Sequence, residues 1–377
     1  MNYTNIRNFE AICLLLILGI NHIVLNASDI IVTEKASASI LNVLYILVLI
    51  LIIAMLILKL FQRFRDYDIL DISEYAGGKT LKILIGILSI AYLLIEAGLL
   101  TSSFSQNLLL VYFSQYPATF LLFFFLLIPS FAATYGDKAI LKTNAILVPF
   151  AVISLLVTFI AASSSFEPQR ALPFLGNGFS TTFLSGASNI FAFNGLFFLF
   201  FITPMLSNKE KTEKITFISI LITGLLLLFA VIALLFAFPD IYKVSRLSSI
   251  YFMVLNTNFG DFIQRPEIIF IATWMLALIS FLNIAILFTL RIFKKLTNVK
   301  NPAPLSLAFI AIIFTIALIP SNLFNLNKWF NQFYQIASLI LIFGIFISIL
   351  IFANIKHKLS NKQNDTLSSS SEVEHES

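Results

Sequence analysis

Ten apolar stretches dominate this chain of 377 residues, and each is long enough to cross about 30 Å of hydrocarbon as a helix. Hydrophobic residues make up 59% of the sequence and charged residues 11%. A backbone inside a bilayer must satisfy its own hydrogen bonds, which a helix does. The sequence therefore predicts an all-α, polytopic membrane protein with ten transmembrane helices. Their predicted limits are 9–27, 38–60, 81–112, 117–135, 140–162, 185–206, 215–238, 266–293, 304–321 and 332–355.

The positive charge of the chain is distributed unevenly between the two sides of the predicted bundle. With the N-terminus inside, 18 of the 24 Lys and Arg residues fall in inner segments. The positive-inside rule then places both termini in the cytoplasm. The basic balance is thus a topology signal, and we expect no nucleic-acid partner. A transmembrane domain is predicted for residues 1–359, and the polar, low-complexity tail 360–377 is expected to be disordered.

Two of the predicted helices are interrupted by glycine and polar residues. In "LILGINHIVLN", residues 17–27, Gly19, Asn21 and His22 interrupt the first stretch, and the sixth carries Asn194-Gly195 within "SNIFAFNGLFFLFFITP". The two interruptions stand five helices apart. This spacing predicts an inverted repeat, about 9–162 against 185–355, with helices 1 and 6 broken near the bilayer midplane. The free N–H groups of such a break hold an anionic ligand group; alternatively, glycine and asparagine only allow close helix packing.

Two ionisable residues lie deep in the predicted hydrocarbon region. They are His22 and Glu96, the latter within "AYLLIEAGLLTSSFSQN". Charged groups at this depth are costly and mark a functional pathway by default. The alternative is a neutral histidine hydrogen-bonded across helices and a protonated carboxyl. Ser102 and Ser103, further along the same helix, face the same cavity or bond to backbone carbonyls.

No enzyme constellation is present in the sequence. It contains no GxSxG element, no P-loop and no metal-binding motif, and its three histidines are far apart. We therefore expect no catalytic residues, no metal and no cofactor.

Five segments in order resemble the endospore germination permease family, the GerAB/GerKB-type B subunits of spore germinant receptors. They are "RFRDYDILDISEYAGGKTLKIL", "LPFLGNG", "FNGLFFLFFITPMLSNKEKTEK", "FAFPDIYKVSRLSSIYF" and "FIQRPEIIFIATW". The last, residues 262–274, carries an Arg-x-Glu pair ahead of Trp274, as the family does. Each segment alone is a weak signal, whereas the ordered set extends over nearly the whole chain.

The resemblance implies a LeuT-like fold of five plus five helices, within the amino acid–polyamine–organocation superfamily. It further implies a nutrient-sensing subunit that binds a small germinant, such as an amino acid, in the spore inner membrane. Its partners would be an A subunit and a lipoprotein C subunit. The alternative is a proton- or sodium-coupled amino-acid transporter of the same fold. A third class, a structural scaffold for a channel-forming partner, also remains open, because fold does not fix function.

The ligand is expected near the two breaks, with apolar walls supplied by aromatic side chains. The expected ligand-binding residues are Gly19, Asn21, His22, Ser102, Ser103, Phe191, Phe193, Asn194, Gly195 and Trp274. The sequence departs from the family where members carry charged residues in helix 3 and a glutamate in helix 6. Arg265 and Glu267 are interpreted as a helix cap or as a latch to a partner subunit.

Overall fold

The computed structural model of the protein describes most of the chain. The described residues are 5–113, 115–132, 135–163, 166–237, 248–255, 266–320, 325–326, 329 and 334–375, and the side chains of 132, 266 and 362–375 are not among them. The helices are α1 Asn8–His22, α2 Ser28–Lys35, α3 Ser39–Phe61, α4 Ile69–Val111, α5 Ala118–Ala132, α6 Asp137–Ala162, α7 Leu199–Ile202, α8 Thr212–Ala237, α9 Ser249–Leu255, α10 Pro266–Thr297, α11 Ser306–Leu318, α12 Gln335–Leu339 and α13 Phe346–His375.

The helices confirm the predicted all-α membrane class. In the described residues, seven helical segments are long and apolar enough to cross a membrane. Two shorter apolar helices accompany them, Ala118–Phe131 and Ala303–Leu318. The exact number of ten transmembrane helices stays a prediction. The last helix extends to His375 and so enters the tail for which the sequence predicts disorder, which also stays a prediction.

The first of the seven segments, Asn8–Phe61, contains two passes rather than one. The chain leaves helical geometry at Ala36, where φ is 49°. On α8, Thr223 lies against Gly19, and the adjacent Gly224 lies against Leu47. A straight helix would separate residues 19 and 47 by about 42 Å, at 1.5 Å per residue. The chain must therefore reverse between α1 and α3.

The first and sixth predicted helices cross in antiparallel directions. At one end, Ile6 N donates to the Met205 carbonyl (2.8 Å) and Ser207 N donates to the Ile6 carbonyl (3.0 Å). In the middle, Leu15 and Gly195 meet, and at the other end the His22 and Phe191 rings are 5.8 Å apart. Rising numbers on one helix thus meet falling numbers on the other. This is the relation that an inverted repeat requires of its first helices.

Helices 1 and 6 are both irregular, as predicted. In helix 1, however, the irregular part is not at Gly19, where the sequence placed it. Gly19 lies within regular α1, and the irregular part is a π-helical turn, Ile23–Ala27, that leads directly into α2. Ser28 Oγ donates to the Ile23 carbonyl (2.7 Å), which satisfies one backbone acceptor of the turn. The sixth helix is a long 3-10 segment, Ser185–Phe198, followed by α7.

The 3-10 segment departs most from helical geometry at Phe193, with φ −98° and ψ 21°. A 3-10 stretch of this length is uncommon and marks strain or a functional hinge. The two irregular segments lie on helices that contact each other, so the breaks predicted from five-helix spacing come together in space.

Ion pairs connect helices at the Lys- and Arg-rich end of the bundle, which we call the basic end. Lys295 on α10 lies 2.6 Å from Asp68 and 2.6 Å from Asp71, at the start of α4. Asp68 is also the N-cap of that helix, accepting from Leu70 N (2.9 Å) and Asp71 N (3.1 Å). This connection fastens the end of α10 to the start of α4, two helices that pack directly against each other.

The close contact between the first and sixth helices predicts that a methyl group added at Gly195 destabilises the protein, whereas one added at Gly344 does not. In Gly195→Ala the new Cβ would lie 2.1 Å from the Leu15 carbonyl oxygen, a backbone atom that cannot move aside. We expect a loss of roughly 1–3 kcal/mol, as for overpacked cores. In Gly344→Ala the Cβ meets no atom within 4 Å. This control should be neutral or stabilising, since Ala is the better helix former.

The measurement is the thermal unfolding midpoint of each variant in detergent. Equal midpoints for the two variants would contradict the close helix contact.

Candidate functional site

A buried ionisable pair connects the end of α1 with the middle of α4. His22 Nε2 lies 3.1 Å from Glu96 Oε1, and both side chains have no solvent exposure. His22 Nδ1 lies 3.1 Å from Asn26 Oδ1, within the π-helical turn. Because an amide oxygen only accepts, Nδ1 carries a proton in this arrangement. One further proton between Nε2 and Oε1 then decides whether the pair is charged.

Two aromatic rings pack against the His22 imidazole, and a third packs against one of them. The Phe191 ring of the 3-10 segment meets it edge-on at 5.8 Å, and Tyr334 stacks on it at 6.4 Å. Tyr334 also stacks on Tyr92 at 5.9 Å. Tyr92 stands one helical turn before Glu96 on α4 and is buried. The site therefore joins the first helix, the third, the sixth and the segment just before α12.

The two tyrosines also line a cavity of about 440 Å³. Its other walls are mostly aliphatic and come from α4, α12 and the π-helical segment Ile340–Ile345, and Trp329 adds an aromatic wall from the stretch before α12. The aliphatic residues are Leu88, Ala91, Ile95, Leu99, Ala337, Ile340, Leu341 and Ile345. A volume in this range suits a small organic ligand. The ion pair and the cavity thus share the tyrosine wall.

The predicted glycines of the site come together as a packing contact. Gly19, Phe193 and Gly195 line one void of only about 10 Å³, close to the minimum for a single water molecule. Thr223 of α8 lies where a Gly19 side chain would be. In this conformation the glycines serve close helix packing, which the sequence left open as the alternative. Their contact with a ligand stays a prediction.

The two predicted asparagines have different surroundings. Asn21 Nδ2 donates to the Ile17 carbonyl (2.9 Å) and to the Ala277 carbonyl on α10 (3.4 Å), so it bridges two helices. Asn194 is fully buried, and neither its nitrogen nor its oxygen has a hydrogen-bond partner in the described part of the chain. A buried amide without partners costs about 1–3 kcal/mol. Asn194 is therefore an unsatisfied buried polar group, and its contact with a ligand stays a prediction.

The predicted residues Ser102, Ser103 and Trp274 lie in a different region. Gln106 Nε2 donates to Ser102 Oγ (3.0 Å), and Asn107 Nδ2 donates to the Ser103 carbonyl (2.8 Å). The Trp274 ring packs edge-on against Phe104 at 4.5 Å. Glu96 and Ser102 are about 9 Å apart along α4, at 1.5 Å per residue. The structure thus places Ser102 and Ser103 on α4 and Trp274 on α10 in the contact between these two helices, apart from the rings that pack against His22.

Three residues of the site were not among those expected from sequence. Asn26 and Tyr92 follow and precede the ionisable residues by four positions, the spacing of one helix face, which was a usable signal. Tyr334 carries no such signal, because only the tertiary structure brings it to His22. Arg265 lies outside the described residues, and Glu267 is a buried residue in the first turn of α10.

These features define a class of protein: a nearly all-helical membrane protein with a LeuT-like transporter fold. The fold is similar to the crystal structure of MhsT in complex with L-phenylalanine, with a TM-score of 0.64 and 17% identity over 92% of this chain and 87% of that chain. It is also similar to a Na⁺-coupled sialic acid symporter in its substrate-bound outward-open state, with a TM-score of 0.63 and 10% identity over 92% and 78% of the two chains.

The sequence model Spore_permease, described as spore germination protein, matches residues 5–325, and the chain belongs to this family. A comparison with curated protein sequences returns no match.

The buried pair predicts non-additive effects of removing its two members. His22→Leu leaves Glu96 buried without its imidazole, and Glu96→Leu leaves the imidazole without its carboxyl. We expect each single variant to lose stability, by up to about 3–5 kcal/mol if the remaining partner stays charged. The double variant should lose clearly less than the sum, because no ionisable group remains buried. Thermal unfolding of the three variants in detergent measures this, and additive losses would contradict the pairing.

Proposed function

We propose that this protein is the nutrient-sensing subunit of a spore germinant receptor and binds a small germinant within the membrane. The observation that carries the proposal is the fully buried His22–Glu96 pair at the π-helical turn, in a chain of the spore germination family. Ionisable groups inside a membrane are retained for binding or proton movement. Here they stand where the first and sixth helices of a LeuT-like fold are irregular.

The proposed germinant is an amino acid, recognised at both of its charged ends. Glu96 has a second oxygen, Oε2, without a hydrogen-bond partner in the described residues, and it suits an ammonium group. The ligand carboxylate would meet the Asn194 amide and backbone N–H groups of the irregular first helix. The ligand side chain would lie against Phe191 and Phe193. The structural likeness to a transporter with bound L-phenylalanine is consistent with this ligand class.

Binding in this place requires movement of helices 1 and 6. The void between Gly19 and Gly195 is about 10 Å³, which is too small for an amino acid. A ligand that binds the separated helices better than the packed helices shifts the equilibrium toward separation. In the proposed receptor, this displacement is the signal passed to an A subunit and a lipoprotein C subunit in the spore inner membrane.

The second candidate function is a proton- or sodium-coupled amino-acid transporter. The observation that favours it is the same titratable pair, because a proton between His22 and Glu96 is a means of coupling. Uptake of radiolabelled amino acid into proteoliposomes distinguishes the two functions. Gradient-driven accumulation favours the transporter, whereas ligand binding without uptake favours the receptor. Adjacent genes for A-type and lipoprotein C-type subunits would favour the receptor in the same way.

The receptor proposal predicts a selective effect of neutralising Glu96. Glu96→Gln preserves shape and a hydrogen bond to His22 but removes the negative charge that holds the ammonium group. We expect normal protein levels in the spore membrane and a dose response for germination shifted at least tenfold, about 1.4 kcal/mol. The control is Glu210→Gln, the same chemical change at an exposed position of the basic end. An unchanged dose response for Glu96→Gln would contradict the site.

Carboxylate capture is tested by changing the ligand instead of the protein. An amino acid and its carboxamide differ only in the group that the helix break and Asn194 would hold. Binding to the purified protein should weaken by at least tenfold for the carboxamide, because a charge-assisted hydrogen bond is lost. Equal binding of both compounds would exclude recognition of the carboxylate.

A further inference from the structure

The basic end of the molecule contains a second cavity, of about 710 Å³. It is lined by basic residues and shares no residue with the first site. Its walls come from the end of α5, the start of α6, the end of α10 and the start of α11. We propose that this cavity binds an anionic phospholipid, with the lipid phosphate held by Lys294 and Lys300. This assignment does not depend on the proposed function of the first site.

The charges around the cavity leave two lysines for a ligand. Arg291, Lys294 and Lys300 line it together with one carboxylate, Asp137. The Arg291 guanidinium is engaged by Asp137, with Nη2 and Nε 2.6 and 3.1 Å from Oδ2. This pair largely neutralises itself and anchors α10 to α6. In the described part of the chain, neither Lys294 nor Lys300 has a carboxylate within ion-pair distance, so the cavity carries a net positive charge.

The remaining walls of the cavity are apolar and reach the outer surface of the bundle. Leu287 and Leu290 form the buried side, about two turns and one turn of α10 before Lys294, respectively. Phe131 and Leu307 are 60% and 63% exposed at its edge. A soluble phosphate needs no such walls. An anionic phospholipid matches both parts, since its phosphate meets the lysines while its acyl chains cover the exposed apolar side chains.

The position of the cavity along α10 fits the depth of a lipid headgroup. The apolar run of this helix ends at Arg291, and the basic residues Lys294 and Lys295 follow. Lys295 is paired with Asp68 and Asp71, whereas Lys294 lines the cavity. The change from apolar to basic side chains is where hydrocarbon gives way to headgroups. The lysines therefore stand at headgroup level and the leucines at acyl-chain level.

The test compares phosphatidylglycerol with phosphatidylcholine, titrated into the full-length protein in detergent and counted by native mass spectrometry. The variant is Lys294→Gln/Lys300→Gln. The matched control is Lys211→Gln/Lys214→Gln, which removes the same charge from two exposed positions, one just before α8 and one in its first turn. We expect the first variant to bind phosphatidylglycerol at least tenfold more weakly, with an unchanged unfolding midpoint. The control should stay within twofold of the unsubstituted protein.

Three outcomes would overturn the proposal. Equal binding of phosphatidylcholine and phosphatidylglycerol would mean that the apolar walls alone bind lipid. Equal weakening by the two variants would mean that the basic surface attracts anions without a defined site. Displacement of phosphatidylglycerol by equimolar glycerol 1-phosphate or inorganic phosphate would identify a soluble phosphate as the ligand. Selective loss in the first variant, with no displacement by soluble phosphates, supports the lipid site.

Discussion

The close backbone contact between the first and sixth helices is the constraint on which the rest of the structure depends. A side chain at Gly195 would lie 2.1 Å from the Leu15 carbonyl oxygen, so only glycine permits this approach. The contact fixes the antiparallel crossing, from Ile6 and Met205 at one end to His22 and Phe191 at the other. It thereby places the irregular part of each helix beside the other.

The irregular backbone is tolerated in a membrane because side chains form hydrogen bonds with its polar groups. Ser28 donates to the Ile23 carbonyl of the π-helical turn, and Ser248 donates to the Val24 carbonyl (2.5 Å). Non-helical backbone at membrane depth is tolerated only where such partners or a cavity exist. Glu96 Oε2 and the Asn194 amide have no partner in the described residues. They are two of several buried side chains with unsatisfied polar atoms, and they lie on the helices that carry the irregular backbone or pack against it.

The sequence indicated part of the candidate site residue by residue. His22 and Glu96 were recognisable because ionisable groups are rare in apolar stretches, and Phe191 because it lies beside the second interruption. Ser102 and Trp274 were expected in the same site. Ser102 lies about two turns of α4 beyond Glu96, and Trp274 packs against Phe104. Polarity on one helix does not reveal which neighbouring helix a residue faces. For the same reason the stacking of Tyr334 on His22 had no signal in the sequence.

The sequence by itself determined the membrane class, the basic end and the five-helix spacing of the two interruptions. These are properties of one-dimensional patterns, because hydrocarbon thickness sets the length of apolar runs and charge bias follows the membrane sides. Only the tertiary structure decided that Gly19 packs against Thr223 within a regular helix and that the irregular turn begins at Ile23. In sequence, a glycine that breaks a helix looks the same as a glycine that allows a close helix contact. The two cases differ in what surrounds the glycine, and for Gly19 the neighbouring atom belongs to Thr223, on a helix distant in sequence.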